Sequence, residues 1–155
     1  ASPEDAGVRL YAAEADLKGG KYKSAIEHYE WLLKKQPENL VVLNNLAWSY
    51  QQAKDPRALE TAERAYKLKP DNAAVVDTLG WMLVEQGSVP RGLELLQKAV
   101  AAAPNAQEIR LHLAQAWLKA GQKAKARDEL ERIAAAGTRF PREAEAMELL
   151  KQLKN

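Results

Sequence analysis

Regularly recurring prolines constrain this chain more than any other feature. Pro37, Pro70 and Pro104 are almost evenly spaced. Each closes a similar phrase: Lys35-Gln36-Pro37-Glu38-Asn39, Lys67-Leu68-Lys69-Pro70-Asp71-Asn72 and Ala102-Ala103-Pro104-Asn105. Before each proline, or in the equivalent place, a small residue opens an apolar stripe at helical spacing: Ala25, Tyr29, Leu32; Ala58, Ala62, Ala65; Gly92, Leu96, Ala99; Ala126, Leu130, Ile133. After each proline comes a second stripe: Leu43, Leu46, Ala47, Tyr50; Val76, Leu79, Gly80, Leu83; Arg110, Leu113, Ala114, Trp117. Units of this size bury their apolar faces by stacking on one another.

Composition makes the units helical. There are 28 Ala and 21 Leu against 14 β-branched residues. Ala and Leu lose little freedom in a helix, whereas strands favour the residues that are scarce here. Punctuation divides the chain in the same way. Ser2-Pro3-Glu4-Asp5 reads as a helix start, with a capping Ser, a first-turn Pro and two acids at the positive dipole end. Asp55-Pro56 is another start, and Ser88 caps the helix that tolerates Pro90 in its first turn. Asn39, Asn72 and Asn105 are placed to cap the helices that follow the repeat prolines. Gly19-Gly20, Gly87 and Gly121 stop helices within the units. The expected helices lie near 3–18, 22–36, 40–53, 56–69, 73–86, 89–103, 106–120, 123–136 and 142–153.

These landmarks resemble the tetratricopeptide repeat, a helix–turn–helix unit of about 34 residues with a Trp-x2-Leu-Gly-x2-Tyr block, a later Ala-x3-Phe-x2-Ala block and a closing Pro. The resemblance covers residues 6–136 as four units. It implies an all-α solenoid, a right-handed superhelix of four helix pairs and a C-terminal capping helix. The repeats fall near 6–39, 40–72, 73–106 and 107–137, the cap near 141–153, in a single array over 1–155. Departures are Arg9 and Asp16 in the first unit, one residue fewer in the second unit's turn around Lys54-Asp55-Pro56, and no fifth proline. Arg9 and Asp16, two helical turns apart on one face, fit a polar array end. In the final helix Ala146, Leu149, Leu150 and Leu153 form one apolar stripe, suited to covering the last pair while its other face stays wet. Phe140 is placed to wedge into the join.

Composition and charge exclude several functions. The chain has no cysteine, hence no disulfide, thiolate metal site or Cys nucleophile. His28 and His112 are too few for an all-His metal site, and no metal or cofactor is expected. Net charge is +2, from 23 Lys+Arg against 21 Asp+Glu, which gives no reason to expect nucleic acid or an anionic membrane. Residues 71–104 carry a net −2 and residues 105–155 a net +3, ten bases against seven acids. Those bases are interleaved with acids, as on a solvated face. No run approaches the ~20 apolar residues of a membrane span. No signal peptide opens the chain, an absence that does not place the protein. The serines and histidines form no readable nucleophile–base pairing, and Lys18-Gly19-Gly20-Lys21 lacks the strand-to-helix context of a phosphate loop. Glu129/Glu131 and Glu143/Glu145 read as exposed helix faces. His28 reads as structural or solvated, and His112 as a packing or surface residue with ligand contact as the alternative. An enzyme is not expected.

The tryptophans carry the functional expectation. Trp117 coincides with the core aromatic of the repeat block, and Trp31 suits a partly covered packing role. Trp48 and Trp81 stand one repeat apart, and each follows a small residue, Ala47 or Gly80. Successive helical residues turn by ~100°, so if the small residues face the partner helix, both rings turn away. The resemblance implies that first helices line a concave surface that takes peptides or partner helices. On that surface Trp48 and Trp81 would be adjacent rungs, with Asn44 and Asp77 on the same faces and Leu111 and Gln115 continuing the column. Leu10 and Glu14 would begin it; Gln51, Val84, Glu85, Leu118 and Lys119 would form its far edge. The alternative, rings that fill space between neighbouring first helices, stays open. A carboxylate clamp, which the family also uses, is disfavoured by Asp77 and Glu14 despite Asn44 and Asn45.

The expected function is a non-catalytic scaffold binding a peptide or protein partner in that groove, with Asn44, Trp48, Asp77, Trp81, Leu111, Gln115 and Lys119 as the contact residues. A monomer is favoured. The alternative is a structural module that self-associates through its array ends. The phrases Asn44-Asn45-Leu46-Ala47-Trp48, Asp77-Thr78-Leu79-Gly80-Trp81 and Gly137-Thr138-Arg139-Phe140-Pro141 are also similar to the C-terminal repeats of bacterial envelope lipoproteins from exopolysaccharide and exosortase-sorting clusters. That likeness implies a periplasmic setting near secretion or assembly machinery.

Overall fold

A computed structural model describes residues 5–155. Among the described residues all regular structure is helical. The chain divides into two compact units, Ala1–Pro70 and Asp71–Asn155. The first holds α1 (Ala6–Lys18), α2 (Tyr22–Lys35), α3 (Leu40–Gln52) and α4 (Ala58–Leu68). The second holds α5 (Ala73–Glu85), α6 (Val89–Ala102), α7 (Gln107–Lys119), α8 (Lys123–Ala136) and α9 (Glu143–Lys154). The division falls at the second repeat proline.

One turn recurs inside every repeat. The first helix ends on a left-handed residue: Gly20 (φ +74°), Lys54 (φ +59°), Gly87 (φ +92°) and Gly121 (φ +76°). The next N–H reaches back five residues, from Lys21 to Asp16 O (2.8 Å), Asp55 to Tyr50 O (2.8 Å), Ser88 to Leu83 O (2.8 Å) and Gln122 to Trp117 O (2.9 Å). This is the Schellman closure, which satisfies terminal carbonyls and reverses the chain. Glycine adopts the left-handed bend without steric cost, and Lys54 stands where the other three repeats use it.

The turn brings small residues together. Ala13, Ala25, Ala47, Ala114 and Ala126 are fully buried and Ala58 nearly so. At the corresponding place in α5 and α6 stand Gly80 and Gly92, and the two backbones approach closely. A Cβ on Gly92 would lie 2.4 Å from Val84 Cγ2 and 2.7 Å from Gly80 O. Around these contacts Tyr29, Leu32, Leu43 and Leu46 fill the first unit, and Val76, Leu79, Met82 and Leu96 the second. The interval from Ala13 to Ala25, Gly80 to Gly92 or Ala114 to Ala126 is twelve residues, but from Ala47 to Ala58 it is eleven. The missing residue is absorbed at Asp55-Pro56-Arg57, where Asp55 Oδ1 accepts from Arg57 N at 2.9 Å and α4 starts two residues later after its bend than the other second helices.

Capping follows position more strictly than residue type. Asp5, Asn39 and Asn72 cap α1, α3 and α5, each accepting a backbone N–H at 3.1 Å. The start expected at Ser2, Pro3 and Glu4 lies outside the described residues. Asn105 does not cap α7. The cap position is Ala106, two residues after its proline like Asn39 and Asn72, and it makes no side-chain bond. Ser88 is likewise no side-chain cap: its ψ of 59° differs from the 110° and 116° of Asn39 and Asn72.

The end of the second unit is as expected. α9 lays Ala146 and Leu150 on Leu111, Ala114, Leu130 and Ile133, with Phe140, Met147, Leu149 and Leu153 around the margin. The polar array end expected at Arg9 and Asp16 is not an exposed face. Arg9 Nη1 meets His28 Nδ1 at 3.3 Å, its guanidinium lies 4.7 Å from the Trp31 ring centroid, and Asp16 accepts from Ser24 Oγ. Both residues turn onto α2, where partners satisfy them.

Ala106→Asp should stabilise the protein by about 1 kcal/mol, because Ala106 already has the extended backbone (φ −81°, ψ 96°) of the working caps; urea denaturation measures it. Gly92→Ala should cost about 2–3 kcal/mol through overpacking against α5. Gly121→Ala meets no atom within 4 Å and should cost only the left-handed strain, about 1–2 kcal/mol. Equal losses for the two glycine variants would show that the α5–α6 approach relaxes freely.

Candidate functional site

In the second unit the first helices α5 and α7, together with α9, share a polar ladder. Asp77 on α5 reaches His112 on α7, with Oδ1 and Nδ1 2.7 Å apart. On the other side of the imidazole, Arg142 Nη1 lies 3.1 Å from Nε2. A guanidinium only donates, so Nε2 accepts, the ring proton sits on Nδ1, and Nδ1–H donates to Asp77. Arg142 also grips Glu145 through Nε (2.8 Å) and Nη2 (2.9 Å). Gln115 joins the end of the chain, donating to Glu145 Oε1 at 2.9 Å and accepting from Arg142 Nη2 at 3.3 Å. The Arg142 hydrogen bonds hold the Glu145 carboxyl below the ordinary carboxylate range. Their stabilisation is therefore in place above that range and is lost as pH falls through the lowered folded value.

Trp81 lies on this ladder. Its ring stacks on His112 with centroids 4.9 Å apart and planes 14° from parallel. The indole is half-buried, packed against the core cluster that Val84, Leu96, Leu113 and Ala116 form. Of the expected contact residues in this unit, Asp77, Trp81 and Gln115 belong to one connected arrangement and Lys119 is exposed at the end of α7. Leu111 departs from the expectation: it is fully buried beneath α9 and is not a surface residue. Val84, expected at the edge, is 2% exposed. Trp117, expected in the core, is half-buried, with Lys125 Nζ 4.5 Å from its ring centroid.

In the first unit Asn44 and Trp48 lie on α3, both half-buried. Asn44 Oδ1 is enclosed without a hydrogen-bond partner. Elsewhere in this unit Glu30 accepts from Tyr50 Oη at 2.6 Å and from Arg57 Nη1 at 3.1 Å. Arg57 also pairs with Asp55 at 2.8 Å, drawing that carboxyl down to about 2. Burial of Tyr29 raises its phenol to about 12, so it stays neutral inside the core.

Sequence reasoning missed the roles of His112, Arg142 and Glu145. His112 occupies the repeat position of Asn45 and Thr78, one residue after the position of Asn44 and Asp77, and its partners come from 35 and 30 residues away. No local signal joins them, although a buried-helix histidine beside an acidic rung was a usable hint. Glu129 is not on an exposed face either. It pairs with the buried Arg110 at 2.5 Å, and the two side chains are 14% and 10% exposed.

The ladder's chemistry is that of a bracket. An Asp–His pair acts as a base through Nε2, and here that nitrogen is held by Arg142. Among the described residues no group of three or more His, Asp or Glu is placed to hold a metal ion, and no helix is long and apolar enough to cross a membrane.

His112→Phe should keep the stack on Trp81 but strand Asp77, whose side chain is 13% exposed. The expected cost is about 2–3 kcal/mol. Adding Asp77→Leu should recover part of it, with a coupling energy of about 1 kcal/mol or more in a denaturation double-mutant cycle. Strict additivity would mean that the bond carries nothing.

Comparison with known proteins agrees with this architecture. The chain is similar in fold to TTC0263, a thermophilic tetratricopeptide-repeat protein of Thermus thermophilus, with a TM-score of 0.81, 21% identity, and 98% of this chain and 82% of the other covered. It is similar to a MamA fragment of Desulfovibrio magneticus RS-1, with a TM-score of 0.74, 18% identity and coverage of 98% and 84%. It is also similar to YrrB, described as a tetratricopeptide-repeat protein with an unusual peptide-binding site, with a TM-score of 0.71, 18% identity and coverage of 96% and 75%. No curated protein sequence matches the chain. Two profiles described as tetratricopeptide repeat match residues 10–73 and 83–142. With these matches over most of its length and helix pairs throughout, the chain belongs to the tetratricopeptide repeat family.

Proposed function

We propose that the chain is a non-catalytic scaffold that binds a peptide or partner protein along its first helices. The observation that carries this reading is the half-buried Trp81, stacked on His112 and braced through Asp77 and Arg142. A ring fixed in this way offers aromatic area with little further ordering to do on binding, the property that makes aromatic side chains strong interface anchors. Asp77 and Gln115 supply polar groups of the same ladder in the second unit, and Lys119 is exposed farther along α7. Asn44 and Trp48 offer a like pairing of amide and indole in the first. The bond from Arg142 to His112 Nε2 supports the non-catalytic part, and the peptide-binding site described for YrrB supports the partner class. The narrower likeness to envelope lipoproteins supports a place in bacterial envelope secretion or assembly. Self-association is the second reading, supported by Tyr11, 77% exposed on α1. Light scattering after size exclusion separates the two: mass that grows with concentration favours assembly, and a stable monomer favours the binder.

Selection of displayed random peptides on the wild-type protein, with Trp81→Ala as counter-screen, tests the binding face. Selected peptides should bind the variant about thirtyfold more weakly, the equivalent of about 2 kcal/mol, while its melting temperature changes little. Trp48→Ala is expected to behave in the same way for peptides that use the first unit. Unfolding of either variant would make these rings core, and peptides that bind wild type and variants alike would place the binding face elsewhere.

A further inference from the structure

Trp117 occupies a repeat position where the pattern calls for core, yet its indole is not fully covered. It forms the floor of a cavity of ≈ 500 Å³ in the second unit, walled by α6 and α8 with α7 beneath. Val100 and Leu113 complete the apolar floor, and Gln97 stands at one rim. Trp81 and Trp117 share one core cluster: both indoles pack on Val84, Leu96, Leu113 and Ala116, the first braced by His112, the second covered by Lys125.

The charged groups around the cavity are unequal in what holds them. Arg110 and Glu129 neutralise each other at 2.5 Å, and Arg110 Nη2 also donates to Pro104 O at 2.9 Å. Both are committed and largely buried. Lys125 has the Trp117 ring face as its contact, with Nζ 4.5 Å from the centroid. Arg132, two helical turns from Lys125 on the same face of α8, has no hydrogen-bond or ionic partner among the described residues. Asp128 is the remaining carboxylate at the wall. After the internal pair cancels, the cations of Lys125 and Arg132 stand against the one carboxylate of Asp128 around an aromatic floor.

We propose that this channel between α6 and α8 is a second binding site, for a peptide segment of another protein that carries an aromatic side chain next to acidic residues. The aromatic ring enters against Trp117, Val100 and Leu113 and displaces the Lys125 ammonium from the indole face. The released ammonium and the Arg132 guanidinium, both at exposed positions, then pair with the flanking carboxylates, an attraction that salt screens. Gln97 is placed to pair with the segment's main chain. The site is separate from the Trp81–His112 stack, although both indoles rest on one core cluster, and it does not rest on the function proposed there.

The test is fluorescence anisotropy with a labelled twelve-residue peptide holding one central phenylalanine between aspartates. Two control peptides replace the phenylalanine by alanine or the aspartates by lysines. The acidic aromatic peptide should bind about tenfold or more tightly than either control, and more weakly as salt rises. Lys125→Glu and Arg132→Glu, both at exposed positions on α8, should each weaken it about tenfold without moving the melting temperature. Trp81→Ala should leave it unchanged. Equal binding of the three peptides, no binding at all, or indifference to both charge reversals would overturn the proposal. So would loss of binding in Trp81→Ala, which would put the peptide on the other face. Concentration-dependent self-association abolished by the same charge reversals would assign the channel to a second copy of the chain and overturn it too.

Discussion

The backward hydrogen bond that closes each intra-repeat turn is the constraint on which the remainder depends. A left-handed residue followed by an N–H that reaches five residues back fixes where the second helix starts. With the turn fixed, the residue seven positions before the bend lies opposite the one that opens the second stripe, and both must be small. Gly80 and Gly92 show how tight the meeting is, since one methyl on Gly92 would sit 2.4 Å from Val84. Every larger side chain then finds its place around that contact: Leu43 and Leu46 in the first unit, Leu79 and Leu96 in the second.

Close helix contact on one side decides what the first helices show on the other. Residues that follow the small one by a single position turn out of the pair, which is why Trp48 and Trp81 are neither core nor fully exposed. In the second unit the outward face is organised further by a run of charged and polar groups, Asp77 to His112 to Arg142 to Glu145. Arg142 links α7 to the start of α9 and at the same time fixes the imidazole tautomer. The apolar stripe of α9 and this polar clasp act together, one covering Leu111 and Leu130, the other orienting the surface beside Trp81.

Departures from the repeat pattern have local physical reasons. The shortened turn of the second repeat keeps its backward bond, because Lys54 accepts the left-handed bend and Asp55 supplies a side-chain acceptor to the next start. α7 lacks a side-chain cap because Asn105 stands one residue before the position whose backbone presents a side chain to the helix N-terminus. Arg9 and Asp16 resemble a wet end in the sequence but are used inward, against His28, Trp31 and Ser24.

Helix content, the limits of the helices and the family were all legible in the sequence, because they rest on local rules: period, small residues, prolines, glycines and caps. That Trp81 follows the small residue by one position was legible too, but its stack on His112 of the neighbouring first helix, the space-filling arrangement the sequence left open, was decided by packing. The Asp77–His112–Arg142 bracket was not legible, because its partners lie on separate helices far apart in the chain and meet only when those helices pack. The burial of Leu111 and the partial exposure of Trp117 were also beyond the sequence. A repeat position says which way a side chain points, while the neighbouring element decides whether anything covers it: α9 covers Leu111, and the gap between α6 and α8 leaves Trp117 open.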